Sequence, residues 1–304
     1  MPDAAAYLKA ISIAAGASAL VVLALGGVRR PAGAARWNAA CILGIALGLA
    51  SGGASLQLPL SLPPASALAR LFEIVLPAAM GIELLAAFER APRWLAWGLR
   101  LILAASAGRI LLHGSVYLAG LKGEWTAWQA SIYLALCGAA LAMVWGLLSW
   151  LAERSPGISI PLALSQASLA GGAAVMLAGY LAGGEAALSL AAALAGAAIA
   201  ASFVGPRLAP QGLIGLGVIG LFGILFIGRF FGRLSTGAAL AVLFAPLLCW
   251  ATEAPLLVNR KPWLKGAIRL ALAAIPLAFV LAAAKLEFDR GMRPLLGVDR
   301  PLHP

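Results

Sequence analysis

Histidine and cysteine are nearly missing from this 304-residue chain, with two of the first and three of the second. One histidine is the penultimate residue, His303, and Cys41, Cys137 and Cys249 fall in three separate apolar segments without CxxC or His–Cys spacing. A bis-histidine haem, a multi-histidine metal centre, a zinc site and a disulfide framework therefore all lack ligands or partners within the chain. No metal and no cofactor are expected. Charge is scarce as well: 11% of residues are charged and 62% are hydrophobic, whereas soluble domains are roughly 25% charged. That composition excludes a water-soluble globule and leaves repeated membrane spans. The net charge of +11 is basic, yet no basic run exceeds two residues, so there is no stripe for a nucleic-acid backbone to follow. Ser/His/Asp constellations and HExxH are absent too, and no soluble segment is long enough to carry a catalytic domain. Enzyme activity is not the expectation.

What the chain does have is length of apolar segment, and the pattern predicts an all-α polytopic membrane protein of about ten spans with short loops. The spans fall at 4–28, 37–55, 67–88, 94–118, 125–151, 158–182, 186–204, 212–228, 235–252 and 267–286, followed by a short polar tail, 287–304. The first span has Asp3 before it, a single Lys9 near its start and Arg29-Arg30 after a long core, which reads as an uncleaved span rather than a signal peptide. Gly44, Gly48 and Gly52 recur every fourth residue, the small-xxx-small pattern of a close helix contact. Gly183-Gly184-Glu185 reads as a tight turn between the sixth and seventh spans. The glycines at 212, 215, 220 and 223 share roughly one face of the eighth, where a neighbouring helix is expected to approach closely.

The third and fourth spans are the exception to the scarcity of charge, since they carry Arg70, Glu73, Glu83, Arg100, Arg109 and His113. The connection 89–93 is short, so the two form an antiparallel hairpin, in which residue numbers at equal depth sum to about 183. Glu83 with Arg100, Glu73 with Arg109, and Arg70 with His113 all meet that condition within one. A charge in lipid costs several kcal/mol unless it is paired or wetted, so depth matching of opposite charges is the expected solution. Nine residues at about 100° each put Arg109 half a turn around its helix from Arg100. Only one of the two ion pairs can then lie in the hairpin seam, and the other level must face a third helix or a wet cavity. Pro77 cannot donate to the carbonyl four residues back, that of Glu73, which places a helix kink beside an acid. Glu73, Arg109, His113, Glu83 and Arg100 are the candidate intramembrane polar site, with Pro77 as the kink.

Loop charges set the expected orientation. The odd-numbered loops hold ten basic residues, among them Arg29, Arg30, Arg36, Arg90, Arg93 and Arg154, whereas the even-numbered loops and the amino terminus hold four. The positive-inside rule then places both termini on the non-cytoplasmic side of a cytoplasmic (inner) membrane. Eight of the nine tryptophans fall near span boundaries, as an interfacial belt requires, and Trp145 lies deeper. In size and helix count the chain is similar to small ten-helix carriers such as the drug/metabolite transporters. That resemblance implies two inverted five-helix halves around a midplane site. Carriers of that kind usually keep both termini in the cytoplasm, opposite to this reading, and the charged third and fourth spans correspond to an uncharged eighth and ninth. The bilayer is the expected partner, together with other membrane subunits or a second copy. Two roles remain open from the residues: a structural or assembly subunit whose charges hold helices together, or a small-solute or proton-linked transporter built around Glu73, Arg109 and His113.

Overall fold

The computed structural model describes residues 4–27, 34–58, 61–88, 91–118, 125–204, 211–258 and 260–292. Among these residues the chain is helical and has no strand. The helices are α1 (Ala4–Gly27), α2 (Ala34–Ser55), α3 (Ala67–Arg70), a π-helical turn (Leu71–Val75), α4 (Leu76–Ala87), α5 (Arg93–Leu111) and α6 (Ala127–Arg154). They continue with α7 (Ser159–Leu177), α8 (Leu181–Val204), α9 (Gln211–Phe231), α10 (Thr236–Phe244), a 3-10 segment (Ala245–Glu253), α11 (Pro255–Val258) and α12 (Pro262–Met292). Nine stretches of the described residues are long and apolar enough to cross a bilayer. α3, the π turn and α4 form one unbroken helical rod over 67–87, about 31 Å at 1.5 Å per residue. It carries Arg70, Glu73 and Glu83 and is not among the nine, although its length matches a hydrocarbon core of about 30 Å.

Several boundaries differ from those read off hydropathy, which locates the apolar core of a helix rather than its ends. α5 stops at Leu111 instead of running to 118, and after it His113 donates its N–H to Ile110 while Gly114 takes φ +71°. The turn expected at 183–185 lies earlier. There the Tyr180 N–H bonds the Val175 carbonyl and the Gly179 N–H bonds that of Met176, with φ +88° at Gly179, a Schellman ending. Gly183, Gly184 and Glu185 belong instead to the start of α8, where a Cβ on Gly184 would overlap Met176 and the Gly172 carbonyl. α12 starts five residues before the expected tenth span and takes in the first part of the expected tail, up to Met292. Arg29, Arg30, Arg90, Lys122, Glu124, Arg207 and the tail beyond Met292 lie outside the described residues.

α9 is the centre of the bundle, with 89% of its apolar window buried and α2, α4, α6, α7 and α8 packed around it. Its glycines admit a different neighbour at each level: Ile42 at Gly212, Leu190 at Gly220, Leu71 of the π turn at Gly223, and Val175 at Gly228. Close helix packing thus meets these glycines as expected, but from several helices and not from one. Gly44, Gly48 and Gly52 pack as their spacing implies, against Ser18 and Ala14 of α1 and Ala193 and Ser189 of α8. Trp94, Trp128 and Trp263 are exposed at span ends, whereas Trp37 is buried against Gly26 and is no part of a belt. The third span lies beside α9 and bears charge, while α9, its counterpart under a five-plus-five division, is enclosed and apolar over its crossing.

Candidate functional site

The hairpin of α4 and α5 brings Glu83 and Arg100 to one depth, and both point inward. Arg100 donates from Nε to Glu83 Oε1 at 2.9 Å and from Nη2 to Oε2 at 2.8 Å, the two-pronged geometry that a planar guanidinium matches best. Glu83 is 2% exposed and Arg100 8%. The guanidinium carbon lies 4.7 Å from the centroid of the Trp97 ring and 5.7 Å from that of Trp145, so aromatic faces supply further attraction where water is excluded. On the far side stands Gly215 of α9, where a Cβ would come 2.5 Å from Glu83 Oε1. The carboxylate therefore rests against bare backbone. Gly215→Ala is expected to dislodge it and to lower the thermal midpoint in detergent by several degrees, at about 1–3 kcal/mol for overpacking. An unchanged midpoint would show that the pair tolerates displacement.

The pair forms the floor of a polar recess of about 190 Å³, whose lining also includes Asn38, Arg93, Trp97, Glu153 and Gln211. These residues come from the starts of α2, α5 and α9 and the end of α6, all at one end of the bundle. Gln211 Nε2 donates to the Ser149 carbonyl at 3.3 Å, and Asn38 Oδ1 accepts from the Gly212 N–H at 3.4 Å. Glu83 is four residues from the end of α4, about 6 Å along the axis, so this recess is not at the bilayer midplane.

The other level is arranged differently. Glu73 lies in the π turn, where the Leu76 N–H reaches back five residues to the Leu71 carbonyl. Pro77 follows at once and has no N–H with which to resume the α pattern, so the break expected there takes the form of this turn. Glu73 Oε2 is buried without a hydrogen-bond partner, as is Ser115 Oγ. Arg109 does not meet it: in the last turn of α5 its side chain is exposed, with no ion pair or hydrogen bond among the described residues. The half-turn offset from Arg100 is the reason, since one arginine facing inward obliges the other to face out. His113 is exposed in the turn beyond α5. Arg70, matched to it in depth, donates instead to the carbonyls of Leu111 at 3.2 Å and Ala65 at 3.3 Å and so serves the unsatisfied end of α5. The expected grouping of Glu73, Arg109 and His113 is not assembled.

Comparison with protein-family models, with curated proteins and with solved structures finds no match to this chain.

Three features escaped the reading of the sequence. Arg269, in the second turn of α12, is 3% exposed and spends its donors on three partners: Thr252 Oγ1 at 2.7 Å, Ser159 Oγ at 3.0 Å and Glu253 Oε1 at 2.8 Å. It ties α12 to α7 and to the 3-10 segment. Its signal was a basic residue inside an apolar span, but its partners lie 16 to 110 residues away. The Tyr7 hydroxyl donates to Glu185 Oε1 at 3.1 Å, which joins α1 to α8. Gly215, Gly217 and Gly220 have GxGxxG spacing. They lie inside a buried helix, with Glu83, Leu194 and Leu190 over them, not at the strand-to-helix turn that dinucleotide binding requires.

Proposed function

We propose that this chain is a structural or assembly subunit of a membrane, not a carrier. The observation that carries the reading is the use made of the inward-facing charges. Glu83 with Arg100 joins α4 to α5, Arg269 with Glu253 joins α12 to the 3-10 segment before it, and Glu185 with Tyr7 joins α8 to α1. Such pairs specify how helices meet more than they add net stability. They surround an α9 whose every notch is filled, which suits a bundle held in one arrangement rather than one that alternates. Arg109 supports the same role, being an outward cation in the last turn of a span, available to an acidic group of another subunit or to a lipid phosphate. Loop charge supports a cytoplasmic membrane with both termini on its outer side.

One observation favours the transporter reading, namely the unpartnered Glu73 Oε2 in the π turn, since π turns occur frequently at functional sites. Flux measurements in liposomes separate the two. Proton and small-solute permeation at the rate of empty vesicles, unchanged by Glu73→Gln, is expected, together with a larger assembly in mild detergent that Arg109→Gln weakens. Flux above background that Glu73→Gln abolishes would overturn the assembly role and establish a carrier.

A further inference from the structure

We propose that the end of the bundle opposite the Glu83–Arg100 recess binds one zwitterionic phospholipid whose headgroup carries a primary ammonium. This goes beyond the assembly role and does not depend on it. Between α7, α10 and α12 lies a groove of about 730 Å³. α12 has 31 residues, about 46 Å at 1.5 Å each, against a hydrocarbon core of about 30 Å. Its last turns therefore stand in the headgroup layer. There Val280, Ala283, Ala284, Glu287 and Phe288 recur at three- and four-residue spacing and line one wall. The opposite wall is the end of α7, with Ala174 and Ala178, and the segment 232–235 leading into α10. Alanine on both walls, with Gly179 and Gly232 on the second, leaves the space open.

The charges at the mouth select the occupant. Arg233 and Glu287 both line the groove and both are exposed, yet no ion pair joins them. Two helical neighbours of Glu287, Lys285 and Asp289, pair with each other at 3.2 Å and leave it unmatched by either. A cation and an anion held apart across one groove complement the two charges of a phosphoethanolamine headgroup. Phosphate meets the Arg233 guanidinium, ammonium donates to the Glu287 carboxylate, and the acyl chains run inward over Ala174 and Val280. A choline headgroup has no N–H to give Glu287, and a phosphoglycerol headgroup has no cation to place there.

The test uses the full chain in detergent, mixed with phosphatidylethanolamine, phosphatidylcholine and phosphatidylglycerol of identical acyl chains, with retained lipid counted by native mass spectrometry. Phosphatidylethanolamine is expected to be retained about tenfold over either competitor, the scale of one charge-assisted hydrogen bond. Arg233→Gln should lower its retention about tenfold, and Glu287→Gln should erase the preference over phosphatidylcholine while leaving lipid bound. Both side chains are exposed, so an unchanged thermal midpoint certifies that the variants are folded. Equal retention of the three lipids, or retention indifferent to both substitutions, would overturn the proposal. So would retention that appears only when the chain is ended at Met292, because residues 293–304 would then be the groove's occupant.

Discussion

Arg100→Leu is expected to destabilise the protein more than any other single change at the candidate site. Removing the guanidinium strands the Glu83 carboxylate, 2% exposed, against the bare backbone of Gly215 with no partner for its charge. Stranding one member of a buried pair costs about 3–5 kcal/mol. At roughly 2–4 °C per kcal/mol in chains of 150–250 residues, the thermal midpoint in detergent should fall by about 6–20 °C. The double substitution Glu83→Leu, Arg100→Leu should recover most of that loss, because two apolar residues of similar volume leave nothing unpaired. A single variant that melts within about 2 °C of the parent would mean that water reaches Glu83 from the recess and that the pair is not structural.

Gly196→Ala is the second. A Cβ at this position of α8 would overlap the Ala15 carbonyl oxygen and lie 2.8 Å from its Cα. Both are backbone atoms of α1, so no side-chain rotation relieves the clash and the two helices must separate. Overpacking of this kind costs about 1–3 kcal/mol, and more where backbone has to move. Gly98→Ala on α5 is the control, since nothing stands within 4 Å of its added Cβ. There the same substitution should stabilise by about 0.5–1 kcal/mol, by removing glycine from a helix interior. Opposite signs in matched melting experiments are the expected result. Equal shifts would show that α1 and α8 do not approach as closely as Gly196 allows.

These two cases mark what could be read without coordinates. The charged hairpin was legible in depth, because rise per residue is uniform along a helix, and 83 and 100 lie at equal distances from a short connection. Their azimuth was legible as a relation: with Arg100 inward, Arg109 had to face outward. Which arginine turned inward was not legible, since that depends on the rotation of α5 against α4, α6 and α9. The spacing of Gly44, Gly48 and Gly52 announced a close contact but did not name Ala14, Ser18, Ser189 and Ala193 as the residues that fill it. The 183–185 turn was misplaced because Gly-Gly serves either a turn or a tight helix crossing, and local composition does not separate the two.

The sequence by itself determined that this is an all-α polytopic membrane protein, and which two spans hold the buried Glu83–Arg100 pair at one depth. Those properties follow from apolar length and from spacing along one helix, which are local. Only the tertiary structure decided that Glu83 and not Glu73 receives an arginine, that Arg269 is satisfied by Thr252, Ser159 and Glu253, that α9 is the axis of the bundle, and that Arg233 and Glu287 face one groove. Each of those depends on how helices distant in sequence turn toward one another. In a bilayer that turning is set by shape and by the pairing of a few charges, because lipid is as apolar as the side chains it meets.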